Sequence, residues 1–403
     1  MKIAMFCIHS CPLGQLGTRD TGGMNVYVRE VSRYLGQMGH SVDIYTRAHD
    51  PRDLQVDNPS ENVRVIHIQA GPVEDMGKMS QYSHLSDFIQ NMGVFSQHRG
   101  VHYDLVQSHY WLSGLIGQYY AQAWGIPHVV MFHTLGVIKN SLPVGDMESD
   151  VRLAAEREVM RSAQRIISST VLEKKELVRL YDADEHKISV VPCGVNMELF
   201  QPQDKRVARS KLGLGEGKVI LFVGRMEALK GVDNLIRALS LMPSDNRARL
   251  IIIGGDEYSR PEVVRLETLA SDIGVGGNVK FLGPVAQNLL PLYYSAADVS
   301  AVTSYYESFC LVILEALACG TPVVSTRVGV APAIIQDGHN GLLVDDNSPQ
   351  NLADGLAAVL RSEQDVCTVR RSILDYAWER VARNIEAEYS KLLYGCLRRS
   401  YVE

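Results

Sequence analysis

Short runs of β-branched and aliphatic residues alternate along most of this 403-residue chain with segments whose apolar residues recur at helical spacing. Strands separated by whole helices pair in parallel through crossovers, so the alternation confines the chain to an α/β architecture. In the first half the runs predict strands over Lys2–Ile8, Val42–Thr46, Val63–Ile68, Asp104–His109, His128–Phe132, Arg165–Ser169 and Ile188–Val191. Between the first two, Val28, Val31, Leu35 and Met38 mark a helix over Met24–Met38, which Gly39 ends.

The grammar then starts again. Lys218–Gly224, Leu250–Gly254, Val279–Leu282, Asp298–Thr303 and Pro322–Thr326 read as a second set of strands, with a helix carried by Val232, Leu235, Ile236 and Leu239. No short repeat period is present. Pro and Gly punctuate Val191-Pro-Cys-Gly-Val195-Asn196, which predicts one α/β domain over residues 1–195 and another over 196–377. The tail from Tyr376 to Tyr401 is helical in composition. Trp378, Val381, Ile385 and Tyr389 share one apolar face, so a C-terminal helix from about residue 378 to 403 is expected to pack back on the first domain. Open α/β sheets bind ligands at the carboxyl ends of their strands, and two of them face to face make a cleft.

Hydrophobic residues make up 46% and charged residues 21%, enough to bury a core in each domain. The net charge of −6 argues against a nucleic-acid partner but leaves room for a local basic pocket. No apolar run approaches the about 20 residues of a membrane span. Met1-Lys-Ile-Ala-Met-Phe-Cys reads as a first strand, not a leader, so a cytoplasmic location is expected. The seven cysteines are scattered, and the one close pair, Cys7 and Cys11, lacks metal-ligand spacing. Asp182-Ala-Asp184 resembles the D-x-D of metal-dependent sugar transferases but lies in a polar loop and reads as a turn. No metal is expected.

The chemistry-bearing residues fall in loops. Gly22-Gly23 precedes the first helix and would let a charged group approach backbone N–H groups. Arg225 and Lys230 follow the first strand of the second half, a bidentate donor and a compact cation suited to a diphosphate. Glu307 and Glu315 stand eight residues apart in Ser304-Tyr-Tyr-Glu-Ser-Phe-Cys-Leu-Val-Ile-Leu-Glu315, one before a helix and one about two turns into it. Carboxylates there can accept hydrogen bonds from sugar and ribose hydroxyls, the layout of a nucleotide-sugar site. His133 and Thr134 leave an apolar strand, and His109-Tyr110-Trp111 leaves another. Tyr110 suits a polar ligand and Trp111 suits packing. Each of these also has a plain structural reading: a helix-entry turn, solvated charges, or a satisfied core histidine. Asn25, Lys78 and Arg152 taken singly read as ordinary surface residues. G-x-G-x-x-G and G-x-x-x-x-G-K-[ST] are both absent, which disfavours a dehydrogenase or kinase.

Taken together, Gly22-Gly23, Gly224-Arg225 with Lys230-Gly231, Glu307 with Glu315, and Ala316-Leu-Ala-Cys-Gly-Thr-Pro-Val-Val324 resemble the retaining glycosyltransferases of the GT-B fold over essentially the whole chain. Thr21-Gly-Gly-Met-Asn25-Val-Tyr27, Asn62-Val-Arg-Val-Ile-His-Ile-Gln-Ala-Gly-Pro72, Ser108-His-Tyr-Trp-Leu-Ser-Gly114 and His133-Thr-Leu-Gly-Val-Ile-Lys139-Asn-Ser are similar to the D-inositol-3-phosphate glycosyltransferases of mycothiol biosynthesis. Sucrose-phosphate synthases share the Gly-Gly helix start. The resemblance implies two Rossmann-like domains facing each other across a deep cleft. It implies a UDP-sugar donor, UDP-N-acetylglucosamine or UDP-glucose, held by Gly23, Arg225, Lys230, Val285, Glu307, Ser308, Phe309, Cys310, Leu311 and Glu315. His133, Arg225, Lys230 and Glu307 would serve catalysis. Asn25, Lys78, Tyr110, Thr134 and Arg152 would hold a phosphorylated acceptor, with Lys78 and Arg152 as a phosphate clamp. No cofactor is implied, and the first domain offers faces for a homodimer.

Two residues depart from the family pattern. Cys310 stands where members commonly have Gly, which touches sugar preference. Val285 stands where an Arg can lie near the uracil, leaving the base to backbone groups. The implied reaction is retaining transfer of a sugar to a phosphorylated polyol or sugar such as inositol phosphate. The alternatives are transfer to fructose 6-phosphate, a GT-B epimerase, and a non-catalytic nucleotide-sugar binder.

Overall fold

The computed structural model describes residues 1–14, 21–243 and 248–400. Two separate sheets carry the molecule. The first contains β1 (Lys2–Phe6), β2 (Ser41–Arg47), β3 (Val56–Ser60), β4 (Val63–Ile68), β5 (Leu105–His109), β6 (His128–Met131), β7 (Arg165–Ser168) and β8 (Ile188–Val190), in the order β3-β4-β2-β1-β5-β6-β7-β8. The second contains β9 (Val219–Val223), β10 (Arg249–Ile253), β11 (Val279–Phe281), β12 (Val299–Val302), β13 (Val323–Ser325) and β14 (Gly341–Leu343), in the order β11-β10-β9-β12-β13-β14. Every pairing is parallel except β3 with β4. Central strands such as β1 (residues 3–6) and β10 (residues 250–253) are buried, as parallel strands covered by helices on both faces must be.

The alternation locates all these strands but two. β3, Val-Asp-Asn-Pro-Ser, carries three residues that strands avoid and lies half-exposed at an edge. β14 has three residues, starts at a glycine and lies at the opposite edge of the second sheet. An edge strand need not carry a run of core-facing side chains, so hydrophobic pattern can miss it, although it marks β8 and β11 at the other two edges. Most predicted carboxyl ends also run a residue or two long, though those of β4 and β5 are exact and β2 runs one residue further: β1 ends at Phe6, and Cys7 and Ile8 already belong to the loop above the sheet.

The helix Trp378–Ser400 returns to the first sheet's layer. Val195 N–H donates to Tyr376 O at 2.8 Å, and the Trp378 ring meets Tyr27 edge-on at 5.7 Å. Ser189 donates to Glu388 at 2.6 Å, and His40 and Glu386 pair at 2.9 Å. Trp378, Val381, Ile385 and Tyr389 are all buried along that one face. Asp182 closes the helix Val171–Tyr181, and Asp184 caps the short helix after it through a bond from His186 N–H. The D-x-D is thus a pair of helix-end residues. Among the described residues, no helix is long and apolar enough to cross a membrane, and no group of three His, Cys, Asp or Glu side chains is placed to hold a metal ion.

Candidate active site

The carboxyl ends of both sets of strands line one cavity of about 360 Å³. Its second-domain wall comes from the loops after β9, β10, β11 and β12. β9 delivers Arg225 and, through the short helix Ala228–Lys230, Lys230. Gly231 follows at φ +62, and a Cβ there would fall 2.3 Å from Thr303 O, so the turn that aims Lys230 demands glycine. β12 delivers Glu307, five residues beyond its end. The two side chains meet: Lys230 Nζ donates to Glu307 Oε1 at 2.6 Å, and Ser304 Oγ donates to the same oxygen at 2.8 Å. Burial opposes a charged Lys230, but Glu307 and Glu227 outweigh it and hold its pKa above the ordinary lysine value. Glu307 is therefore a neutralised carboxylate, suited to accept bonds from sugar hydroxyls rather than to attack carbon. Arg225 pairs with Glu227 at 2.9 Å and stays part-exposed to the cleft.

The helix Leu311–Ala318 begins at Cys310, so Glu315 lies little more than one turn in, not two. Its carboxylate accepts from Tyr294 at 2.9 Å and is also bonded by Gln287. Burial outweighs both and pushes its pKa up to about 7. Pro284, Val285 and Leu290 form an apolar wall nearby, and Ser308, Phe309 and Leu311 complete this side.

Cys310 sits at φ +80, buried, at the N-cap of that helix. For a side-chain-bearing residue this conformation costs about 1–2 kcal/mol. A β-branched side chain tolerates it worst. Cys310→Val is expected to lower unfolding free energy by about 2 kcal/mol or more in urea titrations. Cys310→Gly should stay within about 1 kcal/mol of the parent, since relief of strain offsets the lost thiol packing. A Val variant as stable as the Gly variant would contradict the strain.

The first-domain wall is built at the ends of β1, β5, β6, β7 and β8, with Lys78 from the segment after β4. Gly22 and Gly23 open the helix Gly23–Gln37 without positive φ. A Cβ on Gly22 would come no closer than 4.0 Å to Arg225 Nε, and one on Gly23 would meet Leu311 at 3.5 Å. These glycines leave space in front of the helix rather than relieve strain. Asn25 is fully buried. Its amide donates to Ser10 Oγ and Cys11 O, both at 2.8 Å, and its oxygen accepts from Gly22 N–H at 3.0 Å. It fixes the loop after β1 and the Gly-Gly turn.

His133, at φ +61, shares a 2.9 Å bond between its Nε2 and His109 Nδ1. Burial pushes its pKa down to about 3, so the imidazole is neutral at ordinary pH and a weak base. Tyr110, at φ +75, lies buried beneath two cations: Lys78 Nζ is 5.8 Å and the Arg152 guanidinium 4.8 Å from its ring centre. Arg152 itself is 1% exposed. Its Nε donates to Glu156 at 2.7 Å, and its Nη2 donates to Thr134 O and Oγ1 at 3.0 Å. The structure thus places Arg152 behind the cavity wall, with its guanidinium already partnered. Lys78, Tyr110 and Thr134 lie on the wall, as does Lys139.

Bonds that cross the cleft include Arg29 to Gln287 at 2.7 Å, Ser169 Oγ to Ser308 O at 3.0 Å, Ser308 Oγ to His133 O, and Tyr306 to the Leu135 backbone. Sequence reasoning passed over His9, Lys139, Ser169 and Gln287, all on the cavity wall. His9 follows β1 as His133 follows β6, so the strand-end argument could have found it. Gln287 has no such signal, because its role depends on Arg29, 258 residues away.

Residues 21–199 match the model of Glycosyltransferase Family 4, and residues 204–377 match that of Glycosyl transferases group 1. A D-inositol 3-phosphate glycosyltransferase from Geodermatophilus obscurus is 40% identical over 400 residues, covering 96% of this chain and 89% of the relative. One from Corynebacterium glutamicum is 38% identical, covering 97% and 96%. Among solved structures, sucrose-phosphate synthase from Thermosynechococcus elongatus superposes with a TM-score of 0.89 at 31% identity, covering 98% of this chain and 99% of that one. Anabaena Alr3699/HepE in complex with UDP-glucose shares the fold, with a TM-score of 0.75 at 19% identity, covering 97% and 100%. Two facing Rossmann-like sheets, a cleft lined from both, and full-length likeness to these enzymes make the chain a glycosyltransferase of the GT-B fold, a member of the family that contains the D-inositol 3-phosphate glycosyltransferases.

Proposed function

We propose that this enzyme moves the sugar of UDP-N-acetylglucosamine or UDP-glucose, with retention at the anomeric carbon, onto a hydroxyl of an inositol phosphate. The observation that carries the reading is a single cavity lined by cations from both domains. Arg225 and Lys230 come from the second, and Lys78, over the Tyr110 ring, and Lys139 come from the first. All four act on Glu227. A donor diphosphate together with an acceptor phosphate calls for cations from both walls, whereas an epimerase or a nucleotide-sugar binder needs only the donor's. The names of the relatives supply the acceptor class.

In this reading Glu315 accepts from the ribose hydroxyls, and Glu307, already neutralised by Lys230, accepts from the donor sugar. Arg225, Lys230 and the space before Gly23 take the diphosphate. As the anomeric C–O bond breaks, charge grows on the leaving oxygen and the cations stabilise it. The acceptor hydroxyl enters on the same face and gives its proton to that leaving phosphate oxygen. Neutral His133 hydrogen-bonds the sugar and adds no charge beside the developing cation. The cross-cleft bonds from Ser308, Ser169 and Arg29 would hold the closed, water-excluding form.

The stereochemistry is tested by proton NMR of the product from an α-linked UDP-sugar. A small anomeric coupling, marking an α-linked product, is expected; a β-linked product would overturn retention. Full-length likeness to sucrose-phosphate synthase favours a second reading, with fructose 6-phosphate as acceptor. Competition between the two acceptors, read by product mass, decides between them.

A further inference from the structure

Behind Lys139, on the first-domain wall of the cavity, stands an anion. Glu148 lies just before the helix Asp150–Ser162, its backbone fixed to Asn140 by N–H and C=O bonds of 2.6 and 3.0 Å. Its carboxylate bonds Lys139 Nζ and lies 2.8 Å from Arg152 Nη1. A second carboxylate, Glu156, also touches Arg152, but it is immovable. It accepts from Gly136 N–H at 3.0 and 3.2 Å, from Tyr181 and from Arg152 Nε, and it is fully buried. Among the described residues, the Glu148 side chain is held by the two cations alone, and it keeps 16% of its surface exposed.

We propose that Glu148 is a tethered stand-in for the acceptor's phosphoryl group, occupying Lys139 and Arg152 until a phosphate dianion displaces it. The inference rests on the phosphorylated-acceptor reading and adds a specificity device to it. A tethered carboxylate competes at high effective concentration. A singly charged or neutral acceptor gains too little from the cations to evict it, whereas a dianion with three acceptor oxygens can span Lys78, Lys139 and the Arg152 Nη1 that Glu148 would vacate. Burial would favour neutral Glu148, but Arg152 and Lys139 outweigh it and keep the group ionised, as the competition requires.

The probe is inorganic phosphate, titrated calorimetrically into the UDP-saturated full-length enzyme, with inorganic phosphate inhibition against the acceptor as a second readout. Glu148→Gln is expected to bind phosphate about tenfold more tightly, the weight of one competing ion pair. Glu148→Asp, which keeps the charge, should stay near the parent. Both variants are checked for an unchanged melting temperature. Phosphate binding that Lys78→Ala weakens, but that Glu148→Gln leaves equal or weaker, overturns the stand-in and spares the phosphorylated-acceptor reading. If none of the proteins binds phosphate in the cleft, that reading falls and the stand-in with it.

Discussion

Lys230→Ala is expected to lower kcat by about two to three orders of magnitude at saturating donor and acceptor. Lys230 does two things in the geometry described above. It presents a fixed, largely buried charge to the part of the cavity proposed for the diphosphate, and it pairs with Glu307 at 2.6 Å. Removing it takes away the charge that meets the leaving oxygen. It also leaves Glu307, 16% exposed in its side chain, with the Ser304 hydroxyl in place of a cation. The loss should fall mainly on kcat, because the leaving group gains charge only as the bond breaks. Lys230→Arg should recover little, since the guanidinium fork is longer and the turn at Gly231 fixes where the side chain starts. Steady-state kinetics with both substrates varied checks this, with thermal melting to confirm the fold. A kcat within tenfold of the parent would remove Lys230 from the mechanism.

Glu315→Gln tests the ribose contact proposed for the donor, and its effect changes with pH. In the empty protein the carboxyl titrates near 7, above its ordinary 4.5, because it is buried. The fold therefore prefers the protonated form. Stability from this group is fully present below pH 4.5 and is lost as pH rises through 7, a penalty of up to about 3 kcal/mol. Ribose hydroxyls prefer the ionised form, so the parent should bind UDP about tenfold more weakly at pH 6 than at pH 8. Glu315→Gln is expected to flatten that pH profile and to weaken UDP binding at pH 8. The empty variant should also melt higher than the parent at pH 8, with the gap closing toward pH 5. Calorimetric UDP titrations and melting curves at both pH values check it. A parent profile without slope would mean that the carboxylate does not touch the ribose.

These two residues were legible in the sequence because each stands beyond a strand's carboxyl end, where open sheets bind ligands. Arg225 after β9 and Glu307 after β12 follow the same rule. The strands themselves were legible because buried parallel strands write themselves as apolar runs. β3, at an edge, carries no such run, and that of β14 is too short to stand out. What the chain order hides is pairing. Lys230 and Glu307 are 77 residues apart and meet only because β9 and β12 are neighbours in the sheet. The occupation of Arg152 by Glu156, Glu148 and Thr134 was hidden for a related reason. An arginine on a helix reads as a solvated cation until the fold shows what covers it. Cys310 was visible as a departure from the family pattern, and its left-handed backbone supplies the physical meaning: a position suited to glycine carries a side chain on the cavity wall.

The account stands on a phosphorylated acceptor meeting a nucleotide-sugar in one cleft. The direct measurement pairs UDP-N-acetylglucosamine and UDP-glucose with inositol phosphate, fructose 6-phosphate and unphosphorylated inositol, following UDP release and product mass together. The account predicts a glycosylated phosphate ester, with UDP released in equal amount, from inositol phosphate and none from free inositol. Equal turnover of free inositol, or no product from any phosphorylated acceptor, would contradict it.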